Sequence, residues 1–154
     1  MPTTLTHDQI QARLQLVEEH IRAENAHDVD GIMNTFGKHP LFRLNGDTFD
    51  GHDSIRALYQ GFGFGASGSG FSEVHVEIDR RHVSDDAIIL EVTLTGEHTE
   101  TWQGIPATGR KFAIPLCAVF PFDEEGKLAG ERVYLDGALL LKQLGVLPDT
   151  AGSG

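Results

Sequence analysis

Thr95-Gly-Glu-His-Thr-Glu-Thr-Trp102, Gly104-Ile-Pro-Ala-Thr-Gly-Arg110, Glu131-Arg-Val-Tyr-Leu-Asp136 and Leu140-Leu-Lys-Gln-Leu-Gly145 follow one another within Thr95–Pro148. The stretch combines the end of an alternating apolar run, a turn, a late strand that stops at an Asp, and a closing helix. The helix is expected over 138–144, with Gly145 as its C-terminal stop and Pro148 beyond it. Working back from there, Lys127–Leu135 and Arg110–Phe122 read as long strands, with Asp123-Glu-Glu-Gly126 as the turn between them. Before Asp85-Asp86, Val74, Val76 and Ile78 share one parity, and after it Ile88, Leu90, Val92 and Leu94 share another. Such alternation places apolar side chains on a single face of a sheet.

The first third has a different period. Thr6-His-Asp-Gln9 has the form of a capping box, and Ile10, Leu14, Val17 and Ile21 recur at helical spacing behind it. Val29, Ile32, Met33 and Phe36 predict a second, short helix with Asp28 as its cap, ended by Pro40. Leu41–Leu44 reads as a strand, Asn45-Gly-Asp as a tight hairpin, and Ile55, Leu58, Tyr59 and Phe62 as one face of a third helix. Helices first and strands second make an α+β domain, a curved antiparallel sheet packed on N-terminal helices. Gly61–Gly70 is glycine-rich but lacks the Gly-Lys-Ser/Thr ending of a phosphate loop, and it reads as a flap over an apolar pocket or as a plain connector. One domain over 1–154 is expected, with 1–5 and 149–154 frayed.

Eight His, 12 Lys plus Arg and 23 Asp plus Glu give a net charge of −11, which opposes the clustered cations of a nucleic-acid binder. No apolar run reaches the roughly 18 residues needed to span a bilayer. Met1-Pro-Thr-Thr-Leu lacks the basic-then-apolar order of a signal peptide, so a cytoplasmic location is expected. Cys117, the single cysteine, lies in an apolar run and is read as core filler. With no H-E-x-x-H or Cys-x-x-Cys spacing, no metal is expected.

Strand parity supplies the candidate site. Extending the inward set Val92, Leu94 and Gly96 brings in His98, Glu100 and Trp102. His98 and Glu100 are therefore either part of a polar-lined cavity or, if the strand bulges after Gly96, solvated edge residues. Arg132, Tyr134 and Asp136 share a parity near the end of the last strand, opposite Glu131, Val133 and Leu135. Asp136 has two readings: an acid and base steadied by Arg132, or the N-cap of the closing helix. Tyr59, Phe62, Phe42 and Trp102 are candidate cavity walls. His7, His20, His27, His52, His75 and His82 read as solvated or capping groups.

The Asp-x-x-x-Leu-x-x-Gln-Leu-Gly pattern at Asp136–Gly145, together with the His98–Arg110 segment, resembles the SnoaL-like polyketide cyclases of the nuclear transport factor 2-like superfamily. The resemblance runs from about Asn25 to Pro148 and implies a cone-shaped α+β barrel. It also implies a cofactor-independent cyclase or isomerase in which Asp136 moves a proton during an intramolecular aldol closure, assisted by His98 and more distantly by His39. Arg132, Tyr134, Glu100 and the aromatic residues above would hold a small apolar or polyketide-like carbonyl substrate. Many relatives carry Trp where this chain has Arg132, which turns the expectation from a polycyclic aromatic toward a substrate with an anionic or carbonyl oxygen. An epoxide or lactone hydrolase and a non-catalytic binding module are the alternatives. A homodimer or higher homo-oligomer is expected, with neither nucleic acid nor membrane as partner.

Overall fold

The computed structural model describes residues 4–65 and 69–148. The expected capping box forms at the start of α1 (His7–Asn25), where Thr6 and Gln9 satisfy each other's backbone N–H groups. α2 (Val29–Asn34) follows, capped by the Asp28 side chain on the Gly31 N–H. The chain then enters β1 (Phe36–Leu44), so Phe36 opens a strand instead of closing a helix. Pro40 does not end the helix; it lies inside β1, within the register break between Phe36 and Leu41. A residue without an N–H is accommodated at such an irregularity because no ladder bond is lost there.

β1 turns into β2 (Asp47–Asp50) through Asn45 and Gly46, both at positive φ as the tight hairpin requires. α3 (Gly51–Gly61) buries Ile55 and Tyr59. The remaining strands are β3 (Phe71–Val83), β4 (Ala87–His98), β5 (Lys111–Pro121) and β6 (Leu128–Leu135), before α4 (Gly137–Gln143). Together the six strands form an unclosed, curved sheet in the order β2-β1-β6-β5-β4-β3. The expected antiparallel pairing holds except between β1 and β6, which run parallel. These two strands are joined by α3 and four intervening strands, a connection long enough for a parallel partner.

Side-chain clips hold the helices in place over the sheet. The Asn25 amide bonds both the N–H and the C=O of Val76, and His27 Nε2–H donates to Val74 O at 2.7 Å. These contacts pin the end of α1 to β3 and bring Glu24, the residue before Asn25, over the inner face of the sheet. Gln143 makes the same paired bonds with Ala113, which fixes α4 to β5. The Asn45 side chain bonds the N–H and C=O of Leu135 at the end of β6. The core between the layers includes Val17, Ile32, Ile55, Ile88, Leu90, Ile114 and Phe120.

Gly63 fixes the chain reversal after α3. Its φ is +85°, and a Cβ there would lie 2.7 Å from the Phe71 carbonyl oxygen. The reversal leaves Phe62 half-buried and Phe64 buried on the inner side. Residues 66–68, the middle of the expected glycine-rich flap, lie outside the described residues, as do 1–3 and 149–154 of the expected frayed ends. Among the described residues, no helix is long and apolar enough to cross a membrane.

Candidate functional site: a buried carboxylate pair in an apolar cavity

An inner cavity of about 100 Å³ opens between the helices and the sheet. Its wall is aliphatic and aromatic apart from Glu24 of α1, Tyr59 of α3 and Glu131 of β6. Each arrives there through a local pattern. Val17, His20, Ile21 and Glu24 lie at i, i+3, i+4 and i+7 on the buried stripe of α1, so helix geometry carries the two polar residues inward with the apolar ones. Glu131 shares the inward parity of Val133 and Leu135.

The three polar residues meet at His20, which is fully buried behind the cavity wall. His20 Nε2 is 3.1 Å from Tyr59 Oη, 3.2 Å from Glu131 Oε1 and 3.4 Å from Glu24 Oε1. The Tyr59 hydroxyl donates to Glu131 Oε1 at 2.7 Å. On the other side of the ring, Nδ1 is 2.8 Å from Thr35 Oγ1, and the Thr35 hydroxyl already donates to the Ile32 carbonyl at 2.6 Å. Thr35 Oγ1 must therefore accept, which assigns a hydrogen to Nδ1. Nε2 then faces three oxygens, and a proton has to lie between it and a carboxylate for the contacts to be attractive.

Glu24 is where that proton is held. Burial pushes its carboxyl well above the usual value of 4.5, and the nearby charge of Glu131 pushes it further in the same direction. Burial also raises the Tyr59 phenol, as do the charges of Glu131 and Glu24 and the hydrogen bond to Glu131, so Tyr59 stays a donor. The environment thus separates two carboxyl groups into a neutral acid and an acceptor. Among the described residues, no group of three His, Cys, Asp or Glu side chains is disposed to hold a metal ion.

This arrangement fixes a pH dependence. Because the folded protein holds the Glu24 proton more tightly than the unfolded chain, Glu24's contribution is fully present below 4.5 and is lost as pH rises through the raised folded value. Urea unfolding across the range from pH 4 upward, approximate limits set by ordinary carboxylate titration, should show the native protein losing stability relative to Glu24→Gln. A constant difference between the two would remove this assignment.

The expected site residues divide between three places. Tyr59, Phe62 and Phe42 are in the cavity wall. Trp102 lines a larger outer chamber of about 900 Å³, half-buried in a bridge with Ile105. Asp136, Arg132, Tyr134, Glu100 and His39 are not brought to the cavity. Asp136 is exposed, and its carboxylate accepts the Leu139 N–H at 3.0 Å as the cap of α4. Arg132 and Tyr134 lie on the outer face because they alternate with Glu131 and Val133, and no bond joins Arg132 to Asp136 among the described residues. Glu100 is exposed because β4 ends at His98, after which the N–H groups of Thr99 and Glu100 turn to the Gly70 carbonyl. His39 is exposed beside Pro40.

His98 is fully buried, as the inward parity requires, but it is absent from the cavity wall. Its Nδ1 accepts from the Thr108 hydroxyl at 3.0 Å and the Thr108 N–H at 3.3 Å, which closes the turn after β4. Nε2 has no partner among the described residues and lies in an aromatic cluster that includes Phe71, 5.2 Å away between centroids. Cys117 is half-buried and directly opposite Glu91, on the outer face of the sheet and not in the core; burial and Glu91 both raise its thiol. His20, read from sequence as a solvated or capping group, and Glu24 and Glu131, not singled out as site residues, are the polar groups the fold gathers.

Because Asp136 is an exposed cap, Asp136→Ala should cost about 1 kcal/mol of stability, and Asp136→Asn should cost almost nothing. Thermal unfolding of the two variants tests this. Equal losses would mean that the carboxylate does more than cap.

A family model described as SnoaL-like domain matches residues 17–131. Among curated proteins, none matches the sequence. Solved structures that resemble it include AclR, a candidate hydroxylase from Streptomyces galilaeus, with 22% identity, a TM-score of 0.77 and coverage of 90% of this chain and 99% of that one. A candidate SnoaL-like polyketide cyclase from Jannaschia sp. CCS1 aligns with 15% identity and a TM-score of 0.81, over 95% of this chain and 100% of the other. SalBIII, an epoxide hydrolase/cyclase-like enzyme in pyran ring formation in the polyether salinomycin, aligns with 20% identity and a TM-score of 0.68, over 84% and 94%.

Proposed function

Because the chain belongs to the SnoaL-like domain family, and the matched span carries Glu24, Tyr59 and Glu131 together, we propose that it is a cofactor-independent acid–base enzyme acting on a small carbonyl compound in the inner cavity. The observation that carries this reading is the pair of buried carboxyl groups, one held protonated, facing an otherwise apolar space. Glu131 removes a proton from the carbon next to the carbonyl, breaking the C–H bond. The proton held between Glu24 and His20 passes to the carbonyl oxygen, giving a neutral enol. In a cyclase, the enol carbon then bonds to a second carbonyl carbon of the same molecule as the enol O–H proton returns to Glu24 and the first carbonyl re-forms, while Glu131 gives its proton to the new alkoxide. In an isomerase, Glu131 delivers its proton to a different carbon as the enol O–H proton returns to Glu24 and the carbonyl re-forms.

The apolar wall supports the donor step. Burial keeps the Glu24 carboxyl protonated at a pH where a solvated carboxyl has already lost its proton, so the donor is present when the substrate arrives. Tyr59 remains a hydroxyl and holds Glu131 in place. Asp136, expected from sequence to do this work, has no part in the proposal.

The same pair supports a second reading, an epoxide hydrolase in which the Glu24 proton goes to the epoxide oxygen and Glu131 takes a proton from the attacking water. SalBIII, with its epoxide hydrolase/cyclase-like description, is a structural relative consistent with either reading. Incubation in deuterated water with 2-octanone, followed by proton NMR, tests the first: catalysed exchange of the protons beside the carbonyl is expected. Incubation with 1,2-epoxyoctane in ¹⁸O-labelled water tests the second, through label in a diol. Absence of both would leave a binding module. For assembly we propose a homodimer joined through the outer sheet face, where Tyr134 is 53% exposed beside half-buried Cys117 and Val119; sedimentation at monomer mass would overturn it.

A further inference from the structure

The inner cavity and the outer chamber share four lining residues: Leu44, Leu58, Phe62 and Leu135. Everything that reaches Glu24 and Glu131 from the outer chamber must pass this partition. The volumes on its two sides are unequal, about 100 Å³ within and about 900 Å³ outside. A cavity of about 150 Å³ is filled by benzene, so the inner space takes a group smaller than one aromatic ring. The inner lining holds two carboxyl groups and no Lys or Arg, which disfavours an anionic group at the reacting end.

Phe62 is the part of the partition least free to yield. Its ring is 4.5 Å from Phe71, 5.8 Å from Trp102 and 6.3 Å from Phe112 between centroids. The backbone behind it is set by Gly63, whose left-handed φ and close approach to Phe71 leave no room for a side chain. Trp102 is held equally closely on the outer side, since a Cβ at Gly70 would come within 2.7 Å of its own Cβ.

Resting on the acid–base reading above, we propose that the partition of Leu44, Leu58, Phe62 and Leu135 determines specificity. It admits a narrow, uncharged carbonyl-bearing head to the two carboxyl groups and leaves the remainder of an elongated apolar substrate in the outer chamber beside Trp102. A fused-ring nucleus does not reach the carboxylates. Phe62 sets the width of the head, and the outer chamber sets the length of the tail.

Trp102 is the only tryptophan, so its fluorescence reports the outer chamber directly. Titration of the full chain with 2-butanone, 2-hexanone and 2-octanone should show Kd falling about threefold to fourfold per added methylene, with the emission shift growing along the series. 2-Adamantanone, which carries its carbonyl on a rigid cage, should bind about tenfold or more weaker than 2-octanone, and octanoate likewise. Phe62→Ala should bring 2-adamantanone to within about threefold of 2-octanone. Should that variant fail to fold, Leu58→Ala opens the same partition and carries the same expectation.

Equal binding of 2-adamantanone and 2-octanone by the native chain would overturn the proposal. So would an unchanged ratio in a folded variant, or no binding by any ketone of the series. The acid–base reading fails separately: ranking by head width with no exchange of the carbonyl-adjacent protons would remove the chemistry and keep the partition. Exchange without the ranking would do the reverse.

Discussion

Glu131→Gln is expected to lower the rate of proton exchange beside a ketone carbonyl by about a hundredfold to ten-thousandfold while the protein remains folded. The substitution conserves size, and an amide oxygen at the same place can still accept the Tyr59 hydroxyl, now held at 2.7 Å. What it removes is the acceptor for the substrate proton. It also removes the charge that adds to burial in raising Glu24, so Glu24 should titrate closer to 4.5 in the variant. Carbon-13 NMR of the Glu24 carboxyl reads that second effect independently of activity. Asp136→Asn is the matched comparison: it exchanges a carboxylate for an amide outside the cavity, and its rate should equal that of the native protein. A normal rate in Glu131→Gln with a lost rate in Asp136→Asn would reverse the assignment and return catalysis to the end of β6.

The contrast between those two residues shows how far the sequence could be read. The α+β order, the capping box at Thr6, the Asn45-Gly46 hairpin and the inward parity of β4 are local signals, each fixed by a few adjacent residues, and the structure contains all of them. The parallel pairing of β1 with β6 joins residues about ninety positions apart in the chain, as in Arg43 opposite Arg132, and nothing local announces it. The site follows the same division. Parity separated Arg132, Tyr134 and Asp136 from Glu131, Val133 and Leu135, but it could not say which set faces inward; the apolar members of the second set were the available clue. His20 and Glu24 were legible as polar residues on the Val17–Ile21 stripe. Their meeting with Glu131 was not, because it depends on α1 being clipped to β3 by Asn25 and His27. His98 shows the converse: its burial was readable from alternation, whereas its employment by Thr108 was set by the turn that follows.

His20→Leu is expected to cost about 3–5 kcal/mol, although Leu is apolar, similar in bulk and placed in an apolar interior. The ring packs edge-on against Phe120 at 5.2 Å and Phe36 at 5.4 Å, and Leu can recover much of that contact. It cannot recover the rest: Thr35 Oγ1 loses its donor, and Glu24 and Glu131 lose the ring nitrogen that both face, at 3.4 and 3.2 Å. The Glu24 proton then loses its acceptor at Nε2, and Thr35 Oγ1 is left a buried acceptor without a donor. The loss should deepen as pH rises through the raised folded value of Glu24, well above 4.5, because each proton removed from Glu24 now leaves a charge without a partner. The double variant His20→Leu, Glu24→Gln separates this from packing. If the polar network is the cause, adding Glu24→Gln to His20→Leu restores stability at neutral pH, with an interaction of about 1–3 kcal/mol in the cycle. Additive losses in urea unfolding would show instead that His20 is held for its shape, and the proton on Glu24 would need another acceptor.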